Sequence, residues 1–283
     1  MKLIRSILEM QAESDRLRRE GNKIGVVPTM GYLHDGHASL IRKAKQLTDV
    51  VITTLFVNPT QFGPGEDFQR YPRDFERDKT IASSAGADII FNPEVSEMYP
   101  AHYKTYIEVE KVSKILEGKF RPTHFRGVTT IVSKLFLATK PHVAVFGQKD
   151  AQQAFIIRQM ARDLNFDVEI VVAPIVREHD GLAMSSRNVY LKPAQRSKVS
   201  ALYESLRYAE IRVNEGERSV EKLRKEMTKI IRRSNPTRID YIAFVEQNSF
   251  SEVKIIKPPG VLIALAVKFG STRLLDNISV TIS

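Results

Sequence analysis

The sequence predicts an α/β fold: a Rossmann-like, doubly wound parallel sheet with a smaller C-terminal α+β domain. Three observations carry this. Short apolar, β-branched runs alternate with helix-period segments as far as Pro174. Polar motifs follow the ends of those runs, where open α/β sheets bind ligands. After Val176 the order changes, and two helical stretches precede strand-like runs separated by Ser, Pro and Gly.

Taken in order, residues 4–20 read as an amphipathic helix and 23–27 as the first strand. Residues 37–48 follow as a helix, with Leu40, Ile41, Ala44 and Leu47 at helical spacing. The run DVVITTLFV at 49–57 reads as a buried strand and ends in a turn-rich segment at 58–66. A helix at 74–85, a strand at 88–91 and a further strand at 105–109 come next. Residues 128–138 read as a helix with Val132, Leu135 and Phe136 on one face. Then come a strand at 142–146, a helix at 152–164 and a strand at 168–172. Beyond the join, 194–213 and 217–233 read as helices and 239–246, 260–269 and 272–282 as strands. The expected division is 1–176 and 177–283.

A chain of 283 residues, 42% hydrophobic and 27% charged, suits two globular domains. It has no cysteine, which removes disulfides, thiolate nucleophiles and cysteine-ligated zinc. The first residues are charged throughout and lack an apolar signal core. No stretch approaches the ~20 apolar residues of a membrane span. The expectation is a cytoplasmic protein that does not engage a membrane. A net charge of +10 points to an anionic partner. Much of the excess lies in helix-like segments such as 222–233, where Lys and Arg alternate with Leu223, Met227 and Ile230 as on a solvated face. No aromatic-rich basic strand of the RNA-binding type stands out. Small anionic substrates are therefore expected, and no nucleic acid.

The densest chemistry is PTMGYLHDGHASL at 28–40, between a strand and a helix. Such a turn aims backbone N–H groups and the positive end of a helix dipole at whatever lies above the strand. His34 and His37 can donate to a polyphosphate there, and Gly36 admits close approach to the backbone. An isolated pair of this short, common spacing favours histidines in a polar loop, and the strand before it and helix after it shift the reading toward a site. In NPTQF at 58–62, Asn and Gln amides can read hydroxyls and carboxylates. Gly147-Gln148-Lys149-Asp150 brings a cation and a carboxylate to a strand end, and Asp150 is equally a helix N-cap. Met184-Ser185-Ser186-Arg187 offers hydroxyls and an arginine suited to phosphate. RPTHFRG at 121–127 is a basic turn before a helix, a lid or a connector.

Together PTMGYLHDGHASL, FVNPTQFGPGEDF, RYPRD, FRGVTTIV, VFGQKDAQQ and MSSRN resemble the pantothenate synthetase (pantoate–β-alanine ligase) family, in family order and over nearly the whole chain. The wider likeness is to H-x-G-H nucleotidylyltransferases and class I aminoacyl-tRNA synthetases. Met184-Ser185-Ser186-Arg187 departs from the synthetase K-M-S-K-S loop, with Ala183 and Ser186 where lysines stand.

The resemblance implies ATP-dependent condensation of pantoate with β-alanine through pantoyl adenylate, giving pantothenate, AMP and pyrophosphate. The substrates would be pantoate, β-alanine and ATP, with Mg2+. The alternative is an adenylyltransferase of cofactor assembly that leaves AMP on its product. A non-catalytic RNA-binding protein is a more distant rival. By carry-over the catalytic residues are His37, His34 and Lys149. The ATP contacts are Met30, Gly31, Tyr32, Leu33, His34, Asp35, Gly36, His37, Gly147, Gln148, Lys149, Asp150, Val176, Met184, Ser185, Ser186 and Arg187, with Val176 acting through its backbone. Gln61 and Gln153 would take pantoate, with Gln61 also near β-alanine. The metal ligands are unassigned. Residues 1–176 would bind ATP and pantoate, 177–283 would close over them, and the family pattern is a homodimer.

Overall fold

Residues 1–282 are described by a computed structural model, in which the chain divides into two units. The first comprises Met1–Gln148 and Gln152–Pro174. The second takes Lys149–Ala151 and the chain from Ile175.

The first unit holds six parallel strands: β1 (Lys2–Ile4), β2 (Ile24–Thr29), β3 (Val50–Leu55), β4 (Ile89–Phe91), β5 (Val143–Gly147) and β6 (Glu169–Ala173). Their order is β1-β4-β3-β2-β5-β6. Helices α1 (Ile7–Arg19), α2 (Asp35–Leu47), α3 (Phe75–Ala85), α4 (Val95–Met98), α5 (Glu117–Phe120), α6 (His124–Thr139) and α7 (Ala151–Asp163) connect the strands.

Adjacent strand residues point to opposite faces, and the two faces have separate cores. Val27, Val51, Ile90 and Val145 pack with Leu40, Ile41 and Ala44 of α2 and Ala82 of α3. Their neighbours Val26, Ile52, Phe91 and Ala144 pack with Met10 of α1, Val132 and Leu135 of α6, and Ile157 of α7. The sheet is therefore doubly wound, as the sequence predicts. From β2 the chain winds outward through β3 and β4, then returns to place β5 on β2's other side, with Gly25 opposite Val143. The switch point lies between β2 and β5.

In the second unit β7 (Arg238–Val245), β8 (Gly260–Phe269) and β9 (Thr272–Thr281) form an antiparallel sheet in that order. Helices α8 (Pro193–Arg196), α9 (Ala201–Asn214) and α10 (Val220–Arg233) accompany it. Val220, Leu223, Met227 and Ile231 recur at helical spacing on α10 and are buried with Leu206, Phe244 and Ile263. Among the described residues no helix is long and apolar enough to cross a membrane.

Three expected elements differ. Residues 2–4, at the edge of the expected first helix, pair with β4 as a strand, and Ser6 caps the helix that follows. Only Ile4 of the three is buried, so no alternation marks them. Residues 105–109 are not a strand, because the Ile107 backbone is satisfied by helix side chains. Its N–H donates to Thr130 Oγ1 (3.0 Å) and its carbonyl accepts from Thr129 Oγ1 (2.6 Å). The helix expected at 194–213 is two helices. At the break Val199 enters the core, while Arg196 pairs with Glu178 and Asp180.

Candidate active site

The turn after β2 is built from the strand end outward. Thr29 Oγ1 donates to the Thr54 carbonyl (2.6 Å) and accepts from Gly31 N (3.1 Å). Gly31 (φ 83°) and Tyr32 (φ 49°) both take left-handed backbone, a conformation uncommon for a tyrosine and characteristic of functional turns. Asp78 of α3 holds it: its two oxygens accept from Tyr32 N (2.7 Å) and Leu33 N (2.6 Å). A Cβ on Gly31 would lie 2.9 Å from Asp78 Oδ2, and both that close approach and the positive φ favour glycine. Asp78 is buried, and burial pushes its carboxyl pKa up against the opposing pull of the two N–H groups. Leu33 is fully buried, and Arg77 stacks over the Tyr32 ring at 4.8 Å.

The helix expected at residue 37 begins at Asp35, and its N-cap is His34. His34 Nδ1 accepts from Gly36 N (3.1 Å), and His37 Nδ1 accepts from His34 N (3.3 Å). The two histidines thus form a capping box, and their rings lie 4.1 Å apart. An Nδ1 that accepts holds no proton, so each neutral imidazole carries its hydrogen on Nε2. The H-x-G-H spacing therefore makes both rings Nε2–H donors at a helix N-terminus beside the switch point.

The turn after β3 centres on Asn58, whose buried amide is fully engaged. Its Nδ2 donates to Gln61 Oε1 (3.2 Å) and to the Gly127 carbonyl (3.0 Å), while Oδ1 accepts from Tyr99 Oη (2.8 Å) and Thr60 Oγ1 (3.0 Å). Burial raises the Tyr99 hydroxyl to about 12, keeping it a donor. Gln61 Nε2 lies 2.8 Å from Met30 Sδ, so Gln61 and Met30 are brought together. A Cβ on Gly127 would lie 2.5 Å from the Thr60 carbonyl, and its absence lets α6 abut this turn.

Gly147 and Gln148 end β5, next to β2 in the sheet. On α7 the two neighbouring glutamines divide. Gln152 is buried and structural: Oε1 accepts from Glu117 N (3.1 Å), and Nε2 donates to the carbonyls of Val112 (2.8 Å) and Ile115 (2.9 Å). Gln153 is half-buried and makes none of these bonds.

In the second unit, Lys149 Nζ lies 3.2 Å from Asp150 Oδ1. Met184 N donates to the Val176 carbonyl (3.0 Å) and Arg177 bridges Ala183, so a hairpin at 176–184 brings Val176 and Met184 together. Arg177 anchors it, with Nη1 2.7 Å and Nη2 3.0 Å from the buried Asp276 carboxylate and its guanidinium 3.9 Å over the Tyr203 ring. Burial raises the Asp276 pKa, opposed by Arg177. Ser185 Oγ then caps the turn Ser186–Tyr190 by accepting from Arg187 N (3.3 Å), and Ser186 is buried. Asn188 fixes that turn to the hairpin through Glu178 Oε1 (2.7 Å) and the Ala183 carbonyl (3.1 Å).

Motif spacing points to neither Asn58 nor Asp78 as builders of these turns. Asn58 stands in a quoted motif, whereas Asp78, which the family resemblance matches only loosely to a metal-associated acidic position, lies 46 residues from the Tyr32 N–H it holds. Among the described residues, no group of three or more His, Asp or Glu gathers to hold a metal. Both Asp78 oxygens are engaged by the backbone of the turn after β2.

A doubly wound parallel sheet with two imidazoles at a helix N-terminus beside its switch point is an arrangement suited to the phosphates of a nucleotide. The chain matches the pantoate–β-alanine ligase family over residues 2–279, and it belongs to that family. It is 52% identical to the pantothenate synthetase of Thermotoga petrophila, across 98% of this chain and 99% of that one. The crystal structure of pantothenate synthetase from Thermus thermophilus superposes with a TM-score of 0.94 at 41% identity, covering 100% of both chains. The Francisella tularensis pantoate–β-alanine ligase, complexed with β,γ-ATP and β-alanine, has a TM-score of 0.81 at 35% identity, covering 99% and 97%.

Proposed function

We propose that this chain condenses pantoate with β-alanine at the expense of ATP, by way of pantoyl adenylate, releasing AMP and pyrophosphate. The observation that carries the reading is the capping box of His34 and His37, which presents two Nε2–H donors at a helix N-terminus. A carboxylate is a poor electrophile, because its leaving group would be oxide. Adenylation replaces that leaving group with AMP. The first transition state gathers negative charge around the α-phosphorus, so it needs oriented donors and cations rather than a covalent nucleophile.

In this reading His37 and His34 donate to the phosphates, with His37 as the catalytic acid, and Lys149, Ser186 and Arg187 balance their charge. The remaining residues of 30–37 and 147–150, with Met184 and Ser185, line the nucleotide, and the Val176 backbone meets the adenine edge. Gln61 and Gln153 hold pantoate, and Gln61 also lies near β-alanine. ATP arrives as its magnesium complex. The protein works as a cytoplasmic homodimer without nucleic acid, and sedimentation velocity measures that assembly. Membership in a ligase family favours amide formation over an adenylyltransferase that leaves AMP on its product.

Pyrophosphate exchange into ATP tests the first half-reaction. Exchange that requires pantoate and proceeds without β-alanine is the expected result. Exchange independent of pantoate would refute the proposal.

A further inference from the structure

We propose that Glu66, Arg121 and His124 form a clamp that positions Gln61 for the carboxylic acid substrate, acting as positioning residues for its recognition. The inference rests on the reading of Gln61 as a pantoate ligand.

The Arg121 fork grips Glu66, with Nε 3.0 Å from Oε1 and Nη2 2.6 Å from Oε2. Their side chains are only 15% and 24% exposed, so solvent screens the pair weakly. The same Nη2 donates to the Gln61 carbonyl (3.3 Å), and Nη1 lies 3.2 Å from His124 Nε2. Arginine has only donors, so His124 Nε2 accepts. Its proton is then on Nδ1, which donates to the Gln61 carbonyl at 3.1 Å. One backbone oxygen thus takes two bonds from the segment at 121–124, and His124 is itself buried.

The consequence for substrate follows from where the charge goes. Nε and Nη2 of Arg121 are committed to Glu66, and Nη1 to His124, so the guanidinium is already neutralised beside Gln61. A carboxylate held by a neutral amide keeps more nucleophilicity than one gripped by an arginine. The clamp thus fixes the amide's position and withholds the nearby cation from the acid. Glu66 and Arg121 are 55 residues apart, so neither is part of the other's local turn.

The test uses Glu66→Gln, Arg121→Met, their double variant, His124→Asn, His124→Ala and Gln61→Ala in the full chain. Initial rates are measured with pantoate and ATP varied separately, alongside urea midpoints. Each of the first two variants should raise the pantoate KM roughly tenfold or more, with ATP KM within about twofold. The double variant should add little, since both changes open one clamp. His124→Asn keeps a donor at the position of Nδ1 and should be milder than His124→Ala.

Multiplying effects in the double variant, or pantoate and ATP KM rising together as the urea midpoint falls, would overturn the clamp. If Gln61→Ala raises the pantoate KM while Glu66→Gln and Arg121→Met do not, the clamp fails and the reading of Gln61 stands. An unchanged pantoate KM in Gln61→Ala overturns that reading itself.

Discussion

At the scale of single residues, the proposed reaction gives His34 and His37 two functions each, on different nitrogens. Nδ1 closes the helix start and Nε2 presents a proton. His37→Ala removes both, so it should lose roughly 0.5–2 kcal/mol of stability as a lost cap and roughly 10²–10³ in adenylation rate as a lost donor. His37→Asn separates them, because Asn Oδ1 is as many bonds from Cα as His Nδ1 and can accept from His34 N. Its melting temperature should stay near wild type while its rate falls as far as that of the alanine variant. Near-normal turnover in His37→Asn would remove His37 from the chemistry. Asp78 is the converse case, a carboxylate whose two oxygens are engaged by the turn it shapes. Asp78→Ala leaves two N–H groups without their acceptor, at roughly 1–3 kcal/mol for each one buried, and should lower both the melting temperature and the adenylation rate. An unchanged melting temperature would contradict the structural role.

At the scale of elements, α7 offers a controlled comparison between neighbours. Gln152→Ala strands the Glu117 N–H and the carbonyls of Val112 and Ile115, so thermal stability should fall while the pantoate KM holds. Gln153→Ala should do the reverse, raising the pantoate KM with stability retained. Identical behaviour of the two would refute the division. The hairpin at 176–184 gives a pH test. Arg196 hydrogen-bonds Asp180 and holds its carboxyl below the ordinary 3.8. A lowered folded-state pKa stabilises above the unfolded value and is lost as pH falls through the folded one. The stability gap between wild type and Asp180→Asn should therefore persist at pH 7 and close below about pH 3.8. A gap that widens on acidification would contradict it. Legibility in sequence varies with the kind of signal. Strands buried on both faces, such as Val50–Leu55, announce themselves as apolar runs, and α10 shows its stripe plainly. The edge strand Lys2–Ile4 is too short to alternate, and residues 105–109 have strand-like composition but bond to threonine side chains. Among glutamines, sequence offers no means of telling Gln152's structural bonds from Gln153's lack of them.

At the scale of the whole molecule, strand order decides where chemistry gathers. The sequence predicts a doubly wound sheet, but the adjacency of β2 and β5 is a tertiary fact. That adjacency sets the turn bearing His34 and His37 beside the strand end bearing Gly147. The second unit carries its own core, and its hairpin depends on a buried carboxylate, Asp276, from a strand far along the chain. The net charge of +10 accords with substrates that are all anions or carry a carboxylate. In the proposed reaction pantoate's carboxylate oxygen attacks the α-phosphorus and leaves with AMP. The most direct measurement supplies pantoate labelled with 18O in both carboxylate oxygens, together with ATP, magnesium and β-alanine, and analyses the products by mass spectrometry. The expected products are free AMP with a single 18O and pantothenate retaining the other as its amide oxygen. Unlabelled AMP, or label appearing in inorganic phosphate with ADP, would contradict it.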